Sequence, residues 1–142
     1  MVNLIEVNNI RGVLDSFLYN KWGELLIPQL HYNDERIYRL GKEVAFCSAF
    51  LEKIEKELDF IELIYEGSRI IIRIASNFSI LVICEEKADI PLIKLTVNVL
   101  MNQIKSDREM QRLLRKTKGE EDPLIEAQQY LGWKELFEKI SH

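Results

Sequence analysis

FIELIYEGSRIIIRIASNFSILVIC, residues 60–84, holds three apolar runs separated by two turn signals, and its reading decides the fold. Gly67-Ser68 lies between the runs Phe60–Glu66 and Arg69–Ala75. A two-residue loop with glycine first suits a type II′ hairpin turn. That turn predicts a register in which Glu66 faces Arg69, Ile64 faces Ile71 and Glu62 faces Arg73. On the other face it pairs Tyr65 with Ile70, Leu63 with Ile72 and Ile61 with Ile74. One face is apolar and the other carries complementary charges, each pair contributing roughly 0.2–1 kcal/mol. A one-residue slip would bury the charges, so the facing of the strands is strongly specified. Asn77, which tolerates the left-handed conformation, marks the next turn. Phe78–Cys84 is apolar on both faces apart from Ser79, as a central strand covered on both sides should be.

Upstream, Ile37, Leu40, Val44, Cys47, Leu51, Ile54 and Leu58 recur at spacings of three and four, which predicts a long amphipathic helix. Asn33 or Asp34 can cap it, with Asp34 and Glu35 at its positive end. Its middle, Val44 to Leu51, is apolar well beyond one stripe, with Phe46 and Phe50 on one side and Ala45 and Ala49 on the other. A sheet covers roughly a 100° arc, so a second surface is needed for the remainder. A subunit interface is the expectation, and burial within the monomer is the plainer reading. Before the helix, Leu14–Tyr19, the turn Asn20–Gly23 and Glu24–Pro28 read as a hairpin. Pro28 cannot donate to a ladder, so the second strand is an edge strand or ends there. Residues 4–9 read as a short helix or helix end leading into Ile10–Val13.

Downstream, Asp89 caps a helix with Pro91 in its first turn and a stripe of Ile90, Ile93, Val97, Leu100 and Ile104. The character then changes. Residues 105–118 hold Lys105, Arg108, Arg112, Arg115, Lys116 and Lys118 against Asp107 and Glu109. After Gly119, Asp122-Pro123 starts an amphipathic helix with Leu124, Leu131, Trp133, Leu136, Phe137 and Ile140, expected to dock on the parent domain or its mate.

This order (α-β-β-α-β-β-β-α, over roughly residues 4–104) resembles the roadblock family, the roadblock/dynein light chain type. The carriers are IRGVLDSFLYNKWGELL, the long helix DERIYRLGKEVAFCSAFLEKI, the GSRIIIRIASNFSILVIC meander and the helix ending near Ile104. The family has no single defining catalytic motif, so the likeness rests on pattern and order. The resemblance implies an α+β domain, a five-stranded antiparallel sheet between helices, with a C-terminal helical extension. Residues 1–105 form the roadblock-like domain, and 106–142 the basic segment and amphipathic helix. Three features depart from the pattern: the first helix is short, Asn77 stands where Asp is common, and residues beyond 105 have no counterpart.

The chemistry inventory points away from an enzyme. The chain has 142 residues, enough for one domain with a short extra element, and an ordinary apolar and charged balance. A net charge of −4 argues against nucleic acid as the main partner, and no aromatic residue sits among the basic residues of 105–118 for base stacking. That basic stretch has two readings. One is a grip on an anionic partner, either nucleic acid or an acidic membrane surface; the other is a solvated helix face, favoured at a negative helix C-terminus. The two histidines are His31, in a loop near Asp34 and Glu35, and His142, the last residue. A metal at His31 would need a further strong ligand, and Tyr32 and Asn33 are poor ones. Cys47 and Cys84 are isolated and read as small buried hydrophobes. Glu55, Glu57, Asp59 and Glu62 read as solvated charge, and no phosphate loop, GxSxG or HExxH occurs. No catalytic residue, cofactor or metal is expected. Without a leader pattern or an apolar run near the roughly 20 residues of a membrane span, the expected location is the cytoplasm, with room for peripheral membrane contact.

The roadblock resemblance implies a non-catalytic dimeric regulator or scaffold for a small Ras-like GTPase. The expected dimer interface is Phe46, Ala49 and Phe50 on the long helix with Phe60, Ile64 and Tyr65 on an edge strand. The expected partner surface is the outer face of the long helix, carrying Lys42, Glu52, Lys53 and Lys56. Two further readings are a structural assembly subunit with a different partner, and a small-molecule sensor with an interior pocket.

Overall fold

The computed structural model describes residues 2–28, 35–54 and 60–115. The element order is α1 (Ile5–Asn8), β1 (Val13–Asn20), β2 (Leu25–Ile27), α2 (Glu35–Lys53), β3 (Ile61–Tyr65), β4 (Ser68–Ile74), β5 (Phe78–Glu85), α3 (Ile90–Ser106) and α4 (Arg108–Arg115). The strands form one antiparallel sheet in the order β2-β1-β5-β4-β3. This is the α+β architecture expected from the pattern. The caps at Asn33 and Asp34, His31, Lys56, Leu58 and the helix of residues 123–140 lie outside the described residues.

Two cores flank the sheet. On one face Phe17, Tyr19, Ile72 and Leu81 pack under Val44, Leu40 and Ile37 of α2. On the other, Leu18, Ile71, Ile80, Val82 and Cys84 pack under Ile93, Val97, Leu100 and Ile104 of α3, with Leu4 and Val7 beside them. β5, apolar in both directions, lies at the centre because only a strand with two neighbours and two covers can bury side chains on both faces. β2 is an edge strand that stops before Pro28. Asp89 accepts a hydrogen bond from the Leu92 N–H at 3.1 Å and starts α3 as expected.

The β3–β4 register differs from the expected one. Tyr65 pairs with Ser68, Ile64 with Arg69, Leu63 with Ile70, Glu62 with Ile71 and Ile61 with Ile72. The loop is therefore Glu66-Gly67, not Gly67-Ser68. Both loop residues are left-handed, with φ of 48° and 81°. That is a type I′ arrangement, whose twist matches that of the flanking strands. Each β3 residue faces a β4 residue two places earlier than expected. A strand repeats every two residues, so the faces survive: Ile61, Ile70, Ile72 and Ile74 still lie under α2. Asn77 is not left-handed. Its turn closes through Ala75 N–H to the Phe78 carbonyl at 2.9 Å. α2 ends at Lys53, so Ile54 stands past the helix, partly exposed, and not within the stripe.

Beyond residue 105 the chain does not continue α3 as a solvated face. Asp107 breaks the helix in an extended conformation and caps the next one, its carboxylate accepting from Met110 N–H at 3.0 Å. α4 then turns Met110 and Leu114 into the α3-side core. Among the described residues no helix is long and apolar enough to cross a membrane.

Candidate functional site

The site begins where α2 crosses the β1–β2 hairpin. Gly23 (φ 83°) ends the hairpin turn directly against Gly41 of α2. A Cβ on Gly41 would meet the Tyr19 ring at 2.5 Å and the Gly23 carbonyl as well, so only two glycines allow the backbones to approach this closely. Tyr19 reinforces the contact, its hydroxyl donating to the Ile37 carbonyl at 3.0 Å. Asn20 holds the turn by accepting from Trp22 N–H at 3.0 Å and Glu24 N–H at 2.9 Å. The helix is thereby fixed on the sheet.

The expected partner residues then fall in different surroundings. Lys42 is half-buried, donating to the Trp22 carbonyl at 3.2 Å with its ammonium 5.4 Å from the Tyr38 ring centre. It braces the hairpin. Glu52 and Lys53 are exposed in the last turn of α2. Phe46 and Phe50 stack at 6.3 Å, and Phe46 is only 1% exposed in the single chain, while Ala49 is half-buried. These side chains lie outside the cluster through which α2 meets the sheet.

The β3 positions lie on the opposite side. β3 is a sheet edge, as the dimer expectation requires. Ile64 is 68% exposed there, and Phe60 packs on the α3-side core. The side chain of Tyr65 lies outside the described residues. Phe60 and Ile64 thus share the α3 face of the sheet, whereas Phe46, Ala49 and Phe50 belong to α2 on the other. Within one chain the two halves of the expected interface are not brought together.

Beside Phe60 is a charge cluster that sequence reasoning missed. Glu62 pairs with Lys94 of α3 and with Arg69 at 3.8 Å. The Lys94 hydrogen bond holds the Glu62 carboxyl below its ordinary value; desolvation opposes it, and the Lys94 and Arg69 charges add to the lowering. Arg73 and Lys94 lie over the Phe60 ring at 5.3 and 5.5 Å. No pattern in the sequence places Lys94 opposite β3; it follows from the angle at which α3 crosses the sheet.

Nothing in these groups is set for covalent chemistry. Burial pushes both thiols above their ordinary values, Cys47 with added repulsion from the Glu43 carboxylate and Cys84 with partial relief from Arg69. A thiol held protonated is a weak nucleophile. Among the described residues no group of three or more His, Cys, Asp or Glu could hold a metal ion.

No protein-family profile and no curated protein matches the sequence. Solved structures do. A roadblock/LC7 domain from Streptomyces avermitilis superposes with a TM-score of 0.55 at 7% identity, over 73% of this chain and 92% of that one. MglB of Myxococcus xanthus gives 0.54 at 18% identity, over 72% and 87%. MglB in a tetrameric arrangement gives 0.55 at 16% identity, over 70% and 80%. The five-stranded sheet, the long helix on one face and the paired helices on the other are those of a roadblock-type fold.

Proposed function

We propose that the chain is a non-catalytic, dimeric, cytoplasmic regulator or scaffold for a small Ras-like GTPase. The observation that carries the reading is the roadblock-type fold, shared with MglB over most of both chains. Fold alone does not fix function, so the step to a GTPase rests on the resemblance. The site chemistry supports it: the thiols are disarmed, and Arg69 and Arg73 are engaged by Glu62 and Phe60, which leaves neither as a free arginine finger. Any effect on hydrolysis would act by orienting the GTPase's own groups. The sensor reading gains no support from the α1–α3 cavity, whose volume of about 130 Å³ is well below the roughly 300–1,000 Å³ of small-molecule sites.

In this reading two chains pair β3 edge to edge, satisfying its open backbone groups, and present Glu52 and Lys53 from both long helices; Lys56, expected beside them, lies outside the described residues. The test is a pull-down from source lysate with the chain as bait, followed by a GTP hydrolysis assay on any small GTPase recovered. The reading expects capture of a GTPase in one nucleotide state, and light scattering at twice the chain mass, reduced to one chain by Ile64→Lys. Recovery of no GTPase in either nucleotide state moves the assignment to a structural assembly subunit.

A further inference from the structure

α4 has two opposite faces. Met110 and Leu114 are buried in the core, and Arg108, Arg112 and Arg115, at i, i+4 and i+7, form the stripe turned away from it. Lys105, at the end of α3, joins them across the Asp107 corner. With Ser106 and Gln111 these four cations line a groove of about 330 Å³, and no carboxylate lines it among the described residues. None of the four forms an ion pair with a described residue. Gln111 gives the groove a fixed floor: its amide donates to the Ile104 carbonyl at 2.9 Å, and its carbonyl accepts from Asn77 of the β4–β5 turn at 3.2 Å.

A second observation comes from α3. Leu92, Leu95 and Val99 recur at i, i+3 and i+7 on its outer face and are 44%, 62% and 46% exposed. Seven residues further along the same stripe stands Ser106, at the wall of the groove. Three exposed aliphatic side chains therefore stand on the stripe that reaches, about 21 Å along the helix from Leu92 at 1.5 Å per residue, a groove whose cations form no ion pair among the described residues. The surface is aliphatic from Leu92 to Val99, polar at Asn102 and Gln103, and cationic at its end.

We propose that this α3–α4 surface docks on an acidic lipid bilayer. A bilayer supplies both complements at once, an acyl boundary for Leu92, Leu95 and Val99 and anionic headgroups for Lys105 and the three arginines. A single-stranded nucleic acid would call for aromatic side chains among the cations, and this surface has none. The chain carries a net charge of −4, so attraction to an acidic surface requires a local cluster of cations such as this one, which would set which way the protein faces the membrane.

The experiment is co-sedimentation of the full chain with phosphatidylcholine vesicles, with and without phosphatidylserine. Binding is expected only to the acidic vesicles and weakens as salt rises. The triple change Arg108→Gln, Arg112→Gln and Arg115→Gln lowers it on the order of a hundredfold, from about fivefold per cation. The triple Arg→Lys variant keeps it, because a bilayer reads charge and not the guanidinium fork. Leu95→Ser with Val99→Ser weakens binding while leaving the cations in place. Circular dichroism confirms that each variant is folded. Failure of the wild-type chain to sediment with acidic vesicles overturns the proposal, as does vesicle binding that the arginine-to-glutamine variant retains. Loss of binding in the Arg→Lys variant, competition by inorganic phosphate beyond its ionic strength, or retention of a single-stranded RNA oligonucleotide without vesicle binding would each overturn it in favour of a different anion.

Discussion

Replacing Gly41 by alanine should destabilise this protein, although the same change in an open helix stabilises one. An alanine in a helix interior gains roughly 0.5–1 kcal/mol over glycine. Here the new Cβ would lie 2.5 Å from the Tyr19 ring and closer still to the Gly23 carbonyl, distances at which something must move. Neither neighbour is free to yield. Gly23 is backbone, and Tyr19 is fully buried with its hydroxyl committed to Ile37. Overpacking of this kind costs typically about 1–3 kcal/mol, and breaking the tyrosine hydrogen bond adds about 1 kcal/mol. After the helix gain the net loss is about 2 kcal/mol, or about 6 °C in melting temperature for a chain of this length. The measurement is a urea melt followed by tryptophan fluorescence, read as a lower midpoint at unchanged slope. Gly67→Ala is the comparison: its Cβ meets nothing within 4 Å, so it loses only the left-handed strain at φ 81°, about 1 kcal/mol. A Gly41→Ala protein as stable as wild type, or more so, would refute the close-approach argument.

Glu66→Asn should raise stability by about 0.5–1 kcal/mol, because Asn-Gly is the preferred pair where both loop residues are left-handed; a thermal melt checks it. Glu62 has a lowered folded-state pKa, so its ion pairs contribute in full above the ordinary glutamate range and are lost as the pH falls through the lowered value. Wild type should therefore lose stability toward acid faster than Glu62→Gln, as measured by urea midpoints from neutral pH to about pH 3, below ordinary glutamate values near 4.3. Cys47, half-buried, and Cys84, buried, should react with a thiol reagent at mildly alkaline pH more slowly in the folded chain than in denaturant, and rapid labelling would contradict the burial of Cys84 and the raised pKa of both.

The element order was legible because its signals are local. Gly23 ends one turn, Asp89 and Pro91 open α3, and the three-and-four spacing from Ile37 to Leu51 defines one helix face. The hairpin register was not, because two glycine-based turns compete within one stretch. Gly67 serves equally as the first residue of one loop or the second of another, and nothing in a glutamate announces a φ of 48°. α4 was half legible. Met110 and Leu114 stand one turn apart and mark a buried face, but the surrounding charges conceal it until Asp107 is seen to cap a new helix. For Lys42 the helical period gives the direction in which the side chain leaves the helix. That its long stem bends back to the Trp22 carbonyl depends on where the hairpin lies, which no period contains.

The pairing of β1 with β5 also sets an order of assembly. Leu18 faces Ile80, some 60 residues further along the chain, whereas β3, β4 and β5 meet through short turns. The meander can close as soon as it is made, but the seam at the middle of the sheet must bring together segments from opposite ends of the domain. On a ribosome the amino-terminal hairpin emerges first and then waits, its Phe17 and Leu18 without their eventual neighbours, until Glu85 has cleared the exit tunnel. The strand that lies at the centre of the finished sheet is the last of the five to be synthesised, and the domain cannot fold from one end to the other.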